Sequence, residues 1–180
     1  MKVKVDDLRE SGKVFHFHQT VDWFSSRMGS TEEARELALA QPVSADLEIV
    51  LDLQQVKLSG RLQTAVRLVC SRCLQNFIIN LDEPISLSLL RPVLSETPLE
   101  IDLRPQDLDT EFHDGVTIDV DSIITEQIFL ALPQKPLCHR NCLGLCPGCG
   151  IDLNHESCLC VKRETGSAFE ALRTVKIDQE

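Results

Sequence analysis

Hydrophobic and polar residues alternate most regularly in the middle of the chain. Val43, Ala45, Leu47, Ile49, Leu51 and Leu53 fall on one face of an extended segment, as a half-buried β-strand requires. Ser59-Gly60 reads as a turn, after which Leu62, Thr64, Val66, Leu68 and Cys70 alternate through a second strand. Phe77, Ile79 and Leu81 mark a third, continued by Ile85, Leu87 and Leu89. Short links between neighbouring strands favour an antiparallel meander over βαβ units. Upstream, Phe15 and Phe17 share one face of a strand whose other face carries His16 and His18, a pair that reads as the wet side of the strand. Trp23, Phe24 and Met28 follow at helical spacing as core anchors.

Helical patterns flank this core. Residues 31–40, TEEARELALA, have helix propensity, Thr31 as N-cap, Glu32 and Glu33 in the first turn, and Pro42 as a stop. Residues 91–118 are acidic, are punctuated by Pro92, Pro98 and Pro105, and predict a long loop or arm. The clearest helix covers 120–131, where Val120, Ile123, Ile124, Ile128 and Ala131 form an apolar stripe. Asp119 is placed to cap it, Pro133 ends it, and its stripe should pack on the sheet. Ser167 to Glu170 has the form of a capping box opening a last short helix. The expected class is α+β, a twisted sheet or partly closed β-barrel with packed helices.

At 180 residues and 43% hydrophobic content the chain can build a core, and no apolar run approaches the ~20 residues that span a bilayer. The net charge of −10 is unevenly placed. Residues 95–132 hold ten acidic side chains against Arg104 alone, which is −9 and leaves −1 for the rest. Such a segment suits a basic partner or serves as a solvated acidic loop. The one basic concentration on the sheet is Lys57, Arg61, Arg67 and Arg72.

The candidate chemistry lies in residues 137–160, LCHRNCLGLCPGCGIDLNHESCLC. They carry Cys138, Cys142, Cys146, Cys149, Cys158 and Cys160, six of the eight cysteines. The N-terminal MKVKVDDLRESG alternates charge and has no apolar signal-peptide region, so a reducing, cytoplasmic setting is expected. Dense cysteines there point to thiolate–metal coordination instead of disulfides. Cys146-Pro147-Gly148-Cys149-Gly150 has the form of a zinc knuckle, with Gly150 supplying backbone freedom. Cys138/Cys142 and Cys158/Cys160 compete to complete a tetrahedral site, and spacing does not choose between them. Structural zinc, one ion, is favoured over an iron–sulfur cluster. His139 and His155 read as bystanders beside a surplus of thiols.

The remaining pair, in Cys70-Ser71-Arg72-Cys73-Leu74, sits at the tip between the second and third strands. It can be half a zinc site, a redox pair, or a packed or RNA-facing turn. The expected division is a mainly antiparallel β domain over 1–133, with its acidic loop (91–118) and packing helix (119–132). A cysteine-rich zinc module with its short helix follows over 134–180, delivered by the stiff Leu132-Pro133-Gln134-Lys135-Pro136.

Taken in order, the CxRCL hairpin, the acidic stretch ending in DVDSIITEQIFLALP, PLCHRNCLGLCPGCGIDLN and the terminal AFEALRTV resemble the YceD family, the large ribosomal RNA subunit accumulation proteins of bacteria and plastids. The resemblance spans about residues 43–176, although RETGSA at 163–168 departs from the family's DPR-type lead-in to the last helix. It implies a bacterial, non-enzymatic accessory factor for processing or accumulation of large-subunit ribosomal RNA. It also implies pre-ribosomal RNA or a large-subunit ribosomal protein as partner, with no membrane and no small-molecule substrate. The residues add no catalytic triad and no Gly-rich phosphate loop, so no enzyme is expected. An all-cysteine site also lacks the open position of catalytic zinc. The competing reading is a thiol-based redox or metal-responsive regulator, which needs an exposed, low-pKa thiol.

Overall fold

The computed structural model describes residues 1–28, 37–53, 55–91 and 110–160. The elements in order are β1 (Lys2–Lys4), a 3-10 turn (Val5–Asp7), β2 (Lys13–Gln19), α1 (Val21–Met28), β3 (Ala38–Leu39), β4 (Val43–Asp52), β5 (Gln55–Val69), β6 (Asn76–Leu90), β7 (Thr110–Phe112), β8 (Thr117–Asp119) and α2 (Val120–Leu130). A six-stranded sheet runs β2-β4-β5-β6-β7, with β3 also paired to β5, and β1 pairs β8 in a small second sheet. The large sheet is open, so the barrel alternative does not hold.

The period-two pattern is realised in burial. Val43, Ala45, Leu47 and Ile49 of β4, Val56, Leu58, Leu62 and Val66 of β5, and Leu81, Ile85 and Leu89 of β6 are all buried. They form one cluster with Phe24 of α1 and with Val120, Ile123, Ile124 and Ile128 of α2. Each Val, Leu, Ile or Phe side chain so removed from water contributes about 1.5–3 kcal/mol. The stripe and cap expected of α2 are present, with Asp119 accepting from the Ser122 N–H at 3.2 Å. Trp23 packs edge-on to Phe17, with ring centres 5.4 Å apart.

Four expectations are corrected. Ser59-Gly60 is no turn, because both residues lie inside β5, a strand of 15 residues. Gly60 opposes Leu47 across the β4–β5 ladder, and a Cβ on it would stand 2.1 Å from the Asp46 carbonyl oxygen. Here glycine answers a close backbone approach; the reversal comes after Asp52, where Leu53 takes a φ of 55°.

The helix expected over 31–40 gives way at Ala38–Leu39, which pairs as a strand with Arg67 and Val66. Leu37 and Leu39 are buried on alternate positions, so tertiary pairing overrides helix propensity. Residues 29–36 lie outside the described residues.

The sheet is not a pure antiparallel meander. The β2-β4-β5-β6 pairings are antiparallel, but β7 joins β6 in parallel, Ser88 to Leu90 against Thr110 to Phe112. Among the described residues, Pro84, inside β6, pairs only toward Arg61 of β5, a placement that a residue without an N–H tolerates.

The segment read as an acidic loop over 91–118 contains β7 and the start of β8. The Asp114 carboxylate turns the chain between them by accepting the Val116 and Thr117 N–H groups, both at 2.7 Å. The rest of that loop, 92–109, and the C-terminal helix expected near 167–175 lie outside the described residues. No helix among those described is long and apolar enough to cross a membrane.

Candidate metal centres

The β5–β6 connection is built as a knuckle. The Cys70 N–H donates to the Gln75 carbonyl at 2.9 Å, and the Leu74 N–H donates to the Cys70 carbonyl at 3.0 Å. This closes the turn with Leu74 in the left-handed region, φ 60°. Residues 146–151 repeat the construction. There the Cys146 N–H donates to the Ile151 carbonyl and the Gly150 N–H to the Cys146 carbonyl, both at 2.8 Å, with Gly150 at φ 76°. Each turn aims two cysteines at one point.

The eight thiols sort into two tetrads: Cys70, Cys73, Cys138 and Cys142, and Cys146, Cys149, Cys158 and Cys160. Within each, the four sulfurs lie within 4.8 Å of one another. The six C-terminal cysteines, read as competitors for one ion, are therefore divided. Cys138 and Cys142 turn back to the hairpin, while Cys158 and Cys160 complete the CPGC knuckle. Cys70 and Cys73 belong to a four-thiol group that spans the boundary drawn at 133/134. Sequence spacing could not bring together cysteines 65 and 72 positions apart. The available signal was the likeness of the two CxxC turns.

In the first tetrad Cys70 Sγ lies 3.8 Å from Cys142 Sγ, and Cys73 Sγ lies 3.6 Å from Cys138 Sγ. Four ligands at about 2.3 Å from a central ion in a tetrahedron stand about 3.8 Å apart, so the donor set fits one ion touching all four sulfurs. Cys146 and Cys158 in the second tetrad are closer, at 3.3 Å.

The electrostatics require a cation if all four thiols are to ionise. Burial raises the Cys70 thiol, but main-chain hydrogen bonds from Cys73, Cys138 and Arg72 outweigh it and hold the pKa at about 6. Burial and the neighbouring thiols Cys73, Cys142 and Cys70 push Cys138 to about 12. The second tetrad repeats the split. Main-chain N–H groups of Cys149 and Gly148 bring Cys146 down to about 6, and its neighbours Cys149 and Cys146 drive Cys160 to about 12. Each tetrad thus has one ready thiolate and at least one that ionises only when positive charge arrives.

The first tetrad is also stitched by ordinary hydrogen bonds. Arg72 Nη1 donates to the Cys142 carbonyl at 2.7 Å, the Leu145 N–H to the Arg72 carbonyl at 3.0 Å, and the Ser71 N–H to the Pro136 carbonyl at 2.9 Å. Gln75 Nε2 reaches Asp152 Oδ2 at 2.9 Å. Gly144, φ 77°, lies so near that a Cβ would meet the Arg72 carbonyl oxygen at 3.0 Å. Arg72 thus pins the hairpin to the cysteine-rich segment. Asn154 braces the first centre from the segment between the two knuckle cysteines and the 157–160 stretch. Its Nδ2 donates toward Cys142 Sγ at 3.4 Å and its Oδ1 accepts the Leu143 N–H at 2.8 Å. His139 Nδ1 lies 3.1 Å from Cys138 Sγ, a supporting contact to a thiol already in the set, and His155 faces Asp152.

Comparison with known proteins places this geometry in context. Residues 58–176 match the family described as large ribosomal RNA subunit accumulation protein YceD. A protein of Arabidopsis thaliana named large ribosomal RNA subunit accumulation protein YCED homolog 1, chloroplastic, is 21% identical over 175 residues, covering 81% of this chain and 52% of that protein. Uncharacterised proteins of Mycobacterium tuberculosis and Mycobacterium bovis are 27% identical over 154 residues, covering 82% of this chain and 68% of theirs. The chain thus spans about half the length of the chloroplast protein. No solved structure matches.

Proposed function

The chain belongs to the YceD family, and from that premise we propose that it is a non-catalytic accessory factor for large-subunit ribosomal RNA accumulation, acting in the cytoplasm with two structural zinc ions. The carrying observation is the first tetrad, which takes Cys70 and Cys73 from the sheet and Cys138 and Cys142 from the cysteine-rich segment. An ion there fixes hairpin and segment as one rigid surface. Zinc is favoured by the all-thiolate donors of both tetrads and, in the first, by sulfur spacings of 3.8 and 3.6 Å that match a tetrahedral edge. Four cysteines leave no open position for water or substrate, which supports a structural ion and a binding role over catalysis.

The proposed contact face lies on the chain segments that carry the first tetrad, where Arg67 precedes Cys70 on β5 and Lys135 and Arg140 flank Cys138 in sequence, all three exposed. Pre-ribosomal RNA or a large-subunit ribosomal protein is the partner class that the family name supports. Quantifying large- and small-subunit ribosomal RNA in cells depleted of the protein tests the reading. Depletion should lower the large-subunit species selectively. Wild type should restore it, and a Cys70→Ser/Cys73→Ser chain should not. An unchanged ratio on depletion would contradict the role.

A further inference from the structure

The two tetrads are held in unequal ways. Cys70, Cys73 and Cys142 are buried, and with Cys138 they draw on two parts of the chain that main-chain and Arg72 hydrogen bonds already fasten together. To open that centre, the hairpin must part from the segment. The second tetrad is local. Its knuckle half, Cys146 and Cys149, is closed by the Ile151 and Gly150 hydrogen bonds. Among the described residues, no backbone–backbone hydrogen bond holds residues 157–160, and the Cys160 N–H reaches only the arm's own Cys158 sulfur. Leu159 projects fully into solvent and Cys149 and Cys160 are exposed. What seats this arm is sulfur: Cys158 Sγ at 3.3 Å from Cys146 Sγ, and Cys160 packed over Gly148.

We propose that the second tetrad is a releasable metal site, whose ion exchanges with the surroundings while the first tetrad stays loaded, so that the 157–160 arm is latched or freed by metal supply. This rests on the two-centre zinc reading and adds a regulated site to it. Local opening free energies follow burial and hydrogen bonding, and both are low in the arm. When the arm lifts, Cys158 and Cys160 leave together, and the ion keeps two protein thiolates, Cys146 and Cys149. A competing chelator can then take it. No bond other than metal–sulfur breaks, and the departing thiolates are reprotonated from water.

The test mixes the full-length, zinc-loaded protein with excess 4-(2-pyridylazo)resorcinol and follows zinc transfer by absorbance. The expected result is two phases of one equivalent each, the fast one at least about tenfold quicker, as unequal local opening predicts. Cys160→Ser should remove the fast phase and leave the slow one. In the wild-type amide NMR spectrum, withdrawal of the fast equivalent should shift residues 157–160 but leave 70–75 and 137–142 in place. Release of both equivalents in one phase, or arm signals unmoved by the first loss, would overturn the proposal. A loaded protein holding fewer than two equivalents would instead contradict the two-centre reading, and the proposal would fall with it.

Discussion

Leu74 and Gly150 occupy the same place in two copies of one turn. Each follows the second cysteine of a CxxC pair, each donates its N–H to the carbonyl of the first cysteine, and each has a positive φ, 60° and 76°. A left-handed φ is nearly free for glycine and costs other residues about 1–2 kcal/mol. The hairpin knuckle therefore carries strain that the C-terminal knuckle avoids. Leu74→Gly should raise thermal stability by about 1 kcal/mol with metal content unchanged. Gly150→Ala, where a Cβ meets nothing within 4 Å, should weaken metal binding at the second tetrad by a similar amount through backbone strain alone. A calorimetric melt and a zinc competition titration measure the two effects. Equal tolerance of both substitutions would contradict the shared geometry.

Gly60 is set by the neighbouring strand. A methyl group there would overlap the Asp46 carbonyl, so Gly60→Ala must spread β4 from β5 or twist the ladder. The expected loss is about 2–3 kcal/mol, read by urea unfolding. A loss under about 0.5 kcal/mol, the size of an ordinary surface change, would mean that Ser59-Gly60 is the turn its composition suggests.

Glu111 on β7 is raised above the usual carboxylate range by partial burial and by the nearby Glu126 carboxylate. A carboxyl raised in the folded state favours folding while protonated and loses that contribution as pH climbs through its folded pKa. Glu111→Gln should therefore stabilise the protein at neutral pH; the gain should shrink as pH falls through the raised folded pKa of Glu111 and be absent below about pH 4, where glutamate is protonated in the folded and unfolded chains alike. Melting curves of both proteins across that range test this. A gain that persists unchanged in acid would assign the effect to packing instead.

Much of the sheet was legible because burial on one face imposes a period of two. Leu47, Ile49, Leu62 and Leu81 could be assigned to the core from alternation alone, and α2 from its stripe and Asp119 cap. The failures share a cause: information that lies across the sheet. Gly60 looks like a turn residue until the Asp46 carbonyl is seen opposite it. Ala38 and Leu39 look helical until they are paired with β5. Likewise Cys138 and Cys142 are nearest in sequence to Cys146, yet they face Cys70 and Cys73, because the Ser71, Arg72 and Gln75 hydrogen bonds bring the hairpin over residues 136–152. The presence of soft ligands was readable from spacing; their partition was not.

Whether hairpin and cysteine-rich segment share an ion is decided by the metal content of the native full-length protein, by elemental mass spectrometry, beside that of Cys70→Ser/Cys73→Ser. Two complete tetrads predict two zinc ions per chain, falling to one in the double variant. A single zinc that the double substitution leaves in place would contradict the account, returning the metal to the C-terminal cysteines alone and leaving the hairpin joined to them by hydrogen bonds only.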